Sequence, residues 1–125
     1  MRHLAIEPND ITIPLRTGEE EKLTLTFDKL YRLKSKDKAL YEDYMKIMNG
    51  QGEDGEIDTI RVLYAAYVCS NLENDEYYSF EEFLCVVPYD RDIIGLAMEM
   101  LLTPSKKKET LRNLSEKQQE KVKDE

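Results

Sequence analysis

The sequence predicts an α+β fold that is mostly α: an N-terminal β-hairpin packed on a bundle of four to five helices. Three observations predict it. Residues 11–16 and 22–27 alternate around a turn, as half-buried strands do. Val62 to Cys69 is apolar or aromatic without a break, as a helix buried on more than one side is. Elsewhere apolar residues recur at helical spacing, with Gly, Pro and Asn at the junctions. A chain of 125 residues suits a single domain with one core.

The hairpin comes first. Ile11, Ile13 and Leu15 form one inward row, and Leu23, Leu25 and Phe27 form the other. Thr17-Gly18-Glu19-Glu20 supplies the turn. Pro14 has no N–H to give a ladder, so its strand is an edge or is interrupted there. A lone hairpin is marginal in water. It therefore packs on the helices or is extended by a strand of another chain, which makes Ile11, Ile13 and Leu15 a candidate association edge. His3, the only histidine, precedes the hairpin in a short mixed segment and is expected in solvent.

Residues 28–49 are helical in character. Phe27, Leu30, Tyr31 and Leu33 give an apolar face, Lys34 to Lys38 interrupts it, and Tyr41, Tyr44, Met45 and Met48 resume it. Two helices with a break near Ser35, or one kinked helix, satisfy this pattern. Asn49-Gly50 ends the second in the usual way. Tyr41, Tyr44, Met45 and Met48 read first as core. With Met98 and Met100 they are also the candidate protein-binding residues, because methionine adapts to varied partners.

The loop Asn49 to Gly55 is acidic and rich in turn residues, and Asp58 is a candidate N-cap for the central helix. Ala65 and Ala66 admit a close neighbour, and the helix is expected to end near Asn71 to Glu73. Next, Ser79 and Glu82 spell a capping box, with Tyr78 and Phe83 as its hydrophobic staple. Phe80, Phe83, Leu84 and Val87 form one stripe, and Pro88 stops the helix. Asp90 then caps a last helix, Arg91 to Leu102, which Gly95 weakens unless it permits close packing. Thr103-Pro104 is a stop. Residues 1–104 thus read as one domain and 105–125 as a charged tail, disordered or frayed in isolation. The tail holds seven Lys/Arg and five Asp/Glu, or +2, which leaves −10 on the rest of a chain whose net charge is −8. Leu111 and Leu114 are its candidate anchor to a partner.

The composition excludes several functions. A net charge of −8 opposes binding to nucleic acid and to anionic membranes. The apolar run of eight residues is far short of the ~20 a membrane span needs. The first residues hold no apolar leader region, so a cytosolic location is expected. Cys69 and Cys85 lie in apolar runs and are expected as buried free thiols. With His3 they are too few for zinc and too scattered for a Cys–His pair, so no enzyme is expected. Gly50, Gly52 and Gly55 lack the Lys-Ser/Thr of a phosphate-binding loop. Residues 71–82 imitate a calcium loop, with Asn71, Glu73, Asp75, Tyr77, Ser79 and Glu82 at the oxygen-bearing positions. Glu76 stands where that loop wants Gly, however, and the capping box already explains Ser79 and Glu82. In a paired loop, the bidentate acid would fall on Arg61. No metal and no cofactor is therefore expected. A degenerate calcium-binding helix pair and an acidic inhibitor of a basic partner are the alternatives to a protein-binding role.

The order of elements, with Leu23–Leu30, Ile60–Tyr67 and Ser79–Phe83, resembles the tail assembly chaperones of long-tailed phages and prophages of Gram-positive bacteria. The resemblance covers about residues 10–104 and implies a non-enzymatic role in the host cytoplasm. Such chaperones bind the tape measure protein, keep it soluble and help recruit tail tube subunits. The family often adds a longer form made by ribosomal frameshifting, for which codons at Lys106 to Lys108 are a candidate slip site. Self-association into a homo-oligomer through the hairpin edge is a further expectation.

Overall fold

A computed structural model describes residues 10–53 and 55–102. Within them, a two-stranded hairpin is followed by five helices, in agreement with the predicted fold class. The tail anchors Leu111 and Leu114, and His3, lie outside the described residues.

Strands β1 (Asp10–Pro14) and β2 (Glu20–Thr24) pair antiparallel, with Ile11 opposite Leu23 and Ile13 opposite Glu21. Alternation sends Ile11, Ile13, Leu15, Leu23 and Leu25 into the core. The same alternation turns Glu21 inward at the far end. There partial burial, with Glu19 beside it, raises its carboxyl above the ordinary range. Phe27 departs from the predicted row and is 92% exposed. The chain leaves the extended conformation at Thr26, the N-cap of α1 (Phe27–Lys36), so the period of two no longer governs Phe27. Tyr31, one turn on, also faces solvent rather than joining the predicted apolar face of α1, whose buried residues are Leu30 and Leu33.

The predicted break between the first two helices falls at Asp37. Its non-helical backbone (φ −146°, ψ 84°) closes α1, and its carboxylate accepts from Leu40 N at 3.1 Å to open α2 (Lys38–Met48). At the other end of α2, Gly50 adopts φ 78°. Gly50 N donates to Ile47 O and Gln51 N to Lys46 O, the paired bonds of a Schellman cap.

Helix α3 (Gly55–Ser70) is the hub. Val62 to Cys69 are all buried, and β2, α1, α2, α4 (Phe80–Val86) and α5 (Arg91–Leu102) all pack on it. It starts earlier than expected. Asp58 is not the N-cap but a buried residue of the first turn, held by Arg61 at 3.1 Å. It also ends at Ser70, short of Asn71. The capping box of α4 is complete: Glu82 N donates to Ser79 Oγ at 3.2 Å, and Ser79 N donates to Glu82 Oε1 at 3.0 Å. The staple is completed by Tyr67, whose ring stacks on both Tyr78 (6.1 Å) and Phe83 (5.2 Å). Asp90 opens α5 by accepting from Asp92 N and Ile93 N. Cys69 is buried as expected, whereas Cys85 is exposed, because α4 turns only Phe83 fully to the core.

Two stability changes follow. Phe83 is fully buried among Tyr64 and Tyr67. Phe83→Ala should lower the unfolding free energy by about 3–5 kcal/mol in urea titration. A Cβ at Gly95 would meet nothing within 4 Å, so this glycine serves no close packing. Gly95→Ala should raise stability by about 0.5–1 kcal/mol in the same assay.

Candidate functional site

The open edge of β1 borders α5. Its direction follows from two bonds: Leu15 N donates inward to Glu19 O, and Arg16 N donates outward to Val86 O, each at 2.7 Å. Backbone groups alternate along a strand, so Thr12 and Pro14 share the outward sense of Arg16. Pro14 therefore sits where the missing donor leaves no ladder bond unmade. Between this edge and α5 lies a groove of about 400 Å³, lined by Ile11, Ile13, Ile93, Leu96, Ala97 and Met100, with Thr12 and Pro14 of the edge itself. The four α5 residues follow i, i+3, i+4, i+7, which places them along one flank of the helix. Ile94, Ala97 and Leu101 face the core from the adjoining side.

The candidate binding residues do not form one surface. Tyr44 is a core residue, 7% exposed, and Tyr41 is half-buried with Lys34 Nζ over its ring at 5.7 Å. Met45 and Met48 lie on the outside of α2, the latter 41% exposed. Met98 packs half-buried against the core, and Met100 lines the groove. Helices α2 and α5 each rest on α3, and Met45 and Met48 do not line the groove that Met100 lines. Ile11, Ile13 and Leu15 are buried as side chains. What the hairpin offers at its edge is backbone at Thr12 and the apolar wall behind it. Leu96 was not legible as a site residue, although its spacing from Ile93 and Met100 carries the signal.

A second cleft, of about 260 Å³, is polar and is lined by Asp43, Lys46, Gln51, Glu53, Asp58 and Arg61 among others. Arg61 spends its charge on Asp58 and stacks over the Phe80 ring at 4.9 Å, which fastens the start of α3 to α4. The calcium-loop residues are also engaged elsewhere. Glu73 lies 3.4 Å from Arg32, Glu82 caps α4, and Asn71 donates to Tyr67 O at 2.8 Å. Among the described residues, no group of three His, Cys, Asp or Glu converges. Among the same residues, no helix is long and apolar enough to cross a membrane.

The buried hydroxyls of Tyr64 and Tyr67 on α3 both meet the backbone of Tyr78. Tyr64 Oη donates to Tyr78 O, and Tyr78 N donates to Tyr67 Oη, both at 2.9 Å. Burial pushes the Tyr64 hydroxyl and the Cys69 thiol each up to about 12, and it raises Tyr44 and Tyr67 as well. Each of these groups is neutral at pH 7.

No protein-family model, curated protein or solved structure matches the chain.

The raised values fix an alkaline limit to stability. The folded protein holds these protons more tightly than the unfolded chain, where Cys69 titrates near 9.0 and the tyrosines near 10.0. Their contribution is complete below pH 9, falls as pH rises, and is gone by about 12. Urea midpoints measured from pH 7 upward should begin to fall near pH 9. In Cys69→Ala the fall should begin about one pH unit later.

Proposed function

We propose that the protein is a non-enzymatic binding protein that receives an apolar helical segment of a partner in the groove between β1 and α5. The observation that supports this reading most is the groove itself: an apolar trough beside a strand edge, on an otherwise strongly charged surface. Helix-in-groove recognition uses such a trough, with anchors at i, i+3, i+4 and i+7. Met100 and Leu96 present flexible and branched apolar surface to such anchors. The acidic body gives the complex net charge and therefore solubility.

The resemblance to tail assembly chaperones gives this reading its sharper form. The partner is then the tape measure protein, a long helical chain with apolar faces that needs cover in the bacterial cytoplasm before the tail tube forms around it. Met45, Met48, Phe27 and Tyr31 supply exposed apolar surface on α1 and α2 for a longer segment or for a second copy.

A synthetic amphipathic helical peptide with leucines at i, i+3, i+4 and i+7 tests the groove by fluorescence anisotropy. Leu96→Asp and Met100→Asp should each weaken binding tenfold or more, about 1.4 kcal/mol, as expected for anchors in a desolvated pocket. Met48→Asp should leave it unchanged. Loss of binding in Met48→Asp with none in Met100→Asp would move the site to α2.

A further inference from the structure

We infer that, until a partner arrives, a second copy of this chain fills the groove: Phe27 and Tyr31 of α1 on one copy seat between β1 and α5 of the next. The inference rests on the groove reading above and adds its regulation, because a partner segment then competes with self-association. Three observations carry it.

The first is a pair of unburied rings. Helix α1 turns Leu30 and Leu33 to the core and Phe27 and Tyr31, one turn apart, to water. The two rings are 92% and 76% exposed, so neither is covered within its own molecule. Helix propensity does not explain them, since aromatic residues are middling helix formers. Covered by a neighbour, each ring would bury about 150–250 Å².

The second is fit. Four residues of helix set the two rings ~6 Å apart along α1, and the flank from Ile93 to Met100 runs ~10 Å along α5. Both rings therefore fit along one flank, with Ile11 and Ile13 on the facing wall. Met100 adds a thioether, which makes favourable contacts with aromatic rings.

The third is charge. Residues 27–38 hold five Lys/Arg against two Asp/Glu, a net +3, which leaves −11 on the rest of the chain. Lys34 lies within a turn of Tyr31, and Arg32 stands next to it in sequence. On the other side, Asp10 lines the groove, and the exposed Asp92 and Glu99 directly precede the groove residues Ile93 and Met100. Arg91, the one cation of α5, is engaged by Glu56 at 2.8 Å. Such complementarity steers the basic helix of one copy to the acidic rim of another and weakens with salt. A symmetric contact of α1 with α1 would set +3 against +3, which the same charges oppose.

The contact is head-to-tail. Each joined pair keeps one α1 face and one groove open, so copies can add further. Two rings cover far less than the ~800 Å² per partner of a stable complex. Association is therefore weak, and a partner helix can displace it.

Sedimentation velocity on the whole 125-residue chain tests this, from about 10 μM to about 1 mM, above the affinities that full-sized interfaces reach. The wild-type mass should rise with concentration past the dimer and fall again with added salt or amphipathic peptide. Phe27→Asp/Tyr31→Asp and Leu96→Asp should each weaken association tenfold or more. Leu96→Asn serves where Leu96→Asp loses its helical circular dichroism. Mixed in equal amounts, the two variants should pair into dimers and go no further, because each retains the face that the other lacks. A wild type that stays monomeric overturns the inference, and the groove reading survives if that monomer binds the peptide and Leu96→Asp does not. Association that either variant leaves unchanged also overturns it, as does a mixture that stays monomeric while the wild type associates. Association lost in both variants and restored in the mixture, without peptide binding by any chain, supports the inference and removes the partner reading.

Discussion

Eight consecutive buried residues on one helix set the terms for everything around it. Val62 to Cys69 point in every direction about the axis of α3, so no side of that helix can be left to water. A sheet face, three long helices and one short one are needed to cover it, and the hairpin and the four other helices supply them. The cost of such burial lies in its polar atoms, since an unpaired buried hydroxyl is expensive. Tyr64 and Tyr67 resolve this together by binding the carbonyl and amide of Tyr78. The same two bonds fix the chain one residue before Ser79. The start of α4, the seat of Phe83 and the path to α5 all follow from that anchorage.

Much of this was legible from residue patterns because each signal is local. The capping box at Ser79 and Glu82, the Gly50 cap, the inward alternation of Ile11, Ile13, Leu15, Leu23 and Leu25 and the burial of Val62 to Cys69 need only periodicity and cap chemistry. The misreadings have separate causes. Phe27 continued a strand alternation that ends at Thr26. Asp58 resembled a cap but stands a turn inside its helix, and its partner, Arg61, also stacks on Phe80 across the fold. Cys85 looked buried because its neighbours are apolar, yet a seven-residue helix turns one side only.

The candidate site was less legible than the fold. A groove is a relation between two elements distant in sequence, here residues 10–14 and 93–100. The tyrosines and methionines stand out by type, but Tyr44 belongs to the core, and Met45 and Met48 do not line the groove. Of the sequence candidates, Ile11, Ile13 and Met100 line the groove, and Pro14 carries the logic of its edge. A proline at that register marks the strand edge that stays open, and the groove lies along that edge.

Amide hydrogen exchange with and without the amphipathic peptide tests the central claim, that this edge and the facing flank of α5 are the binding surface. Added protection at Thr12 and across residues 93–100, with residues 38–48 unchanged, is the result expected. Protection confined to residues 27–31 and 45–48 would contradict it and place recognition on the outer face of α1 and α2.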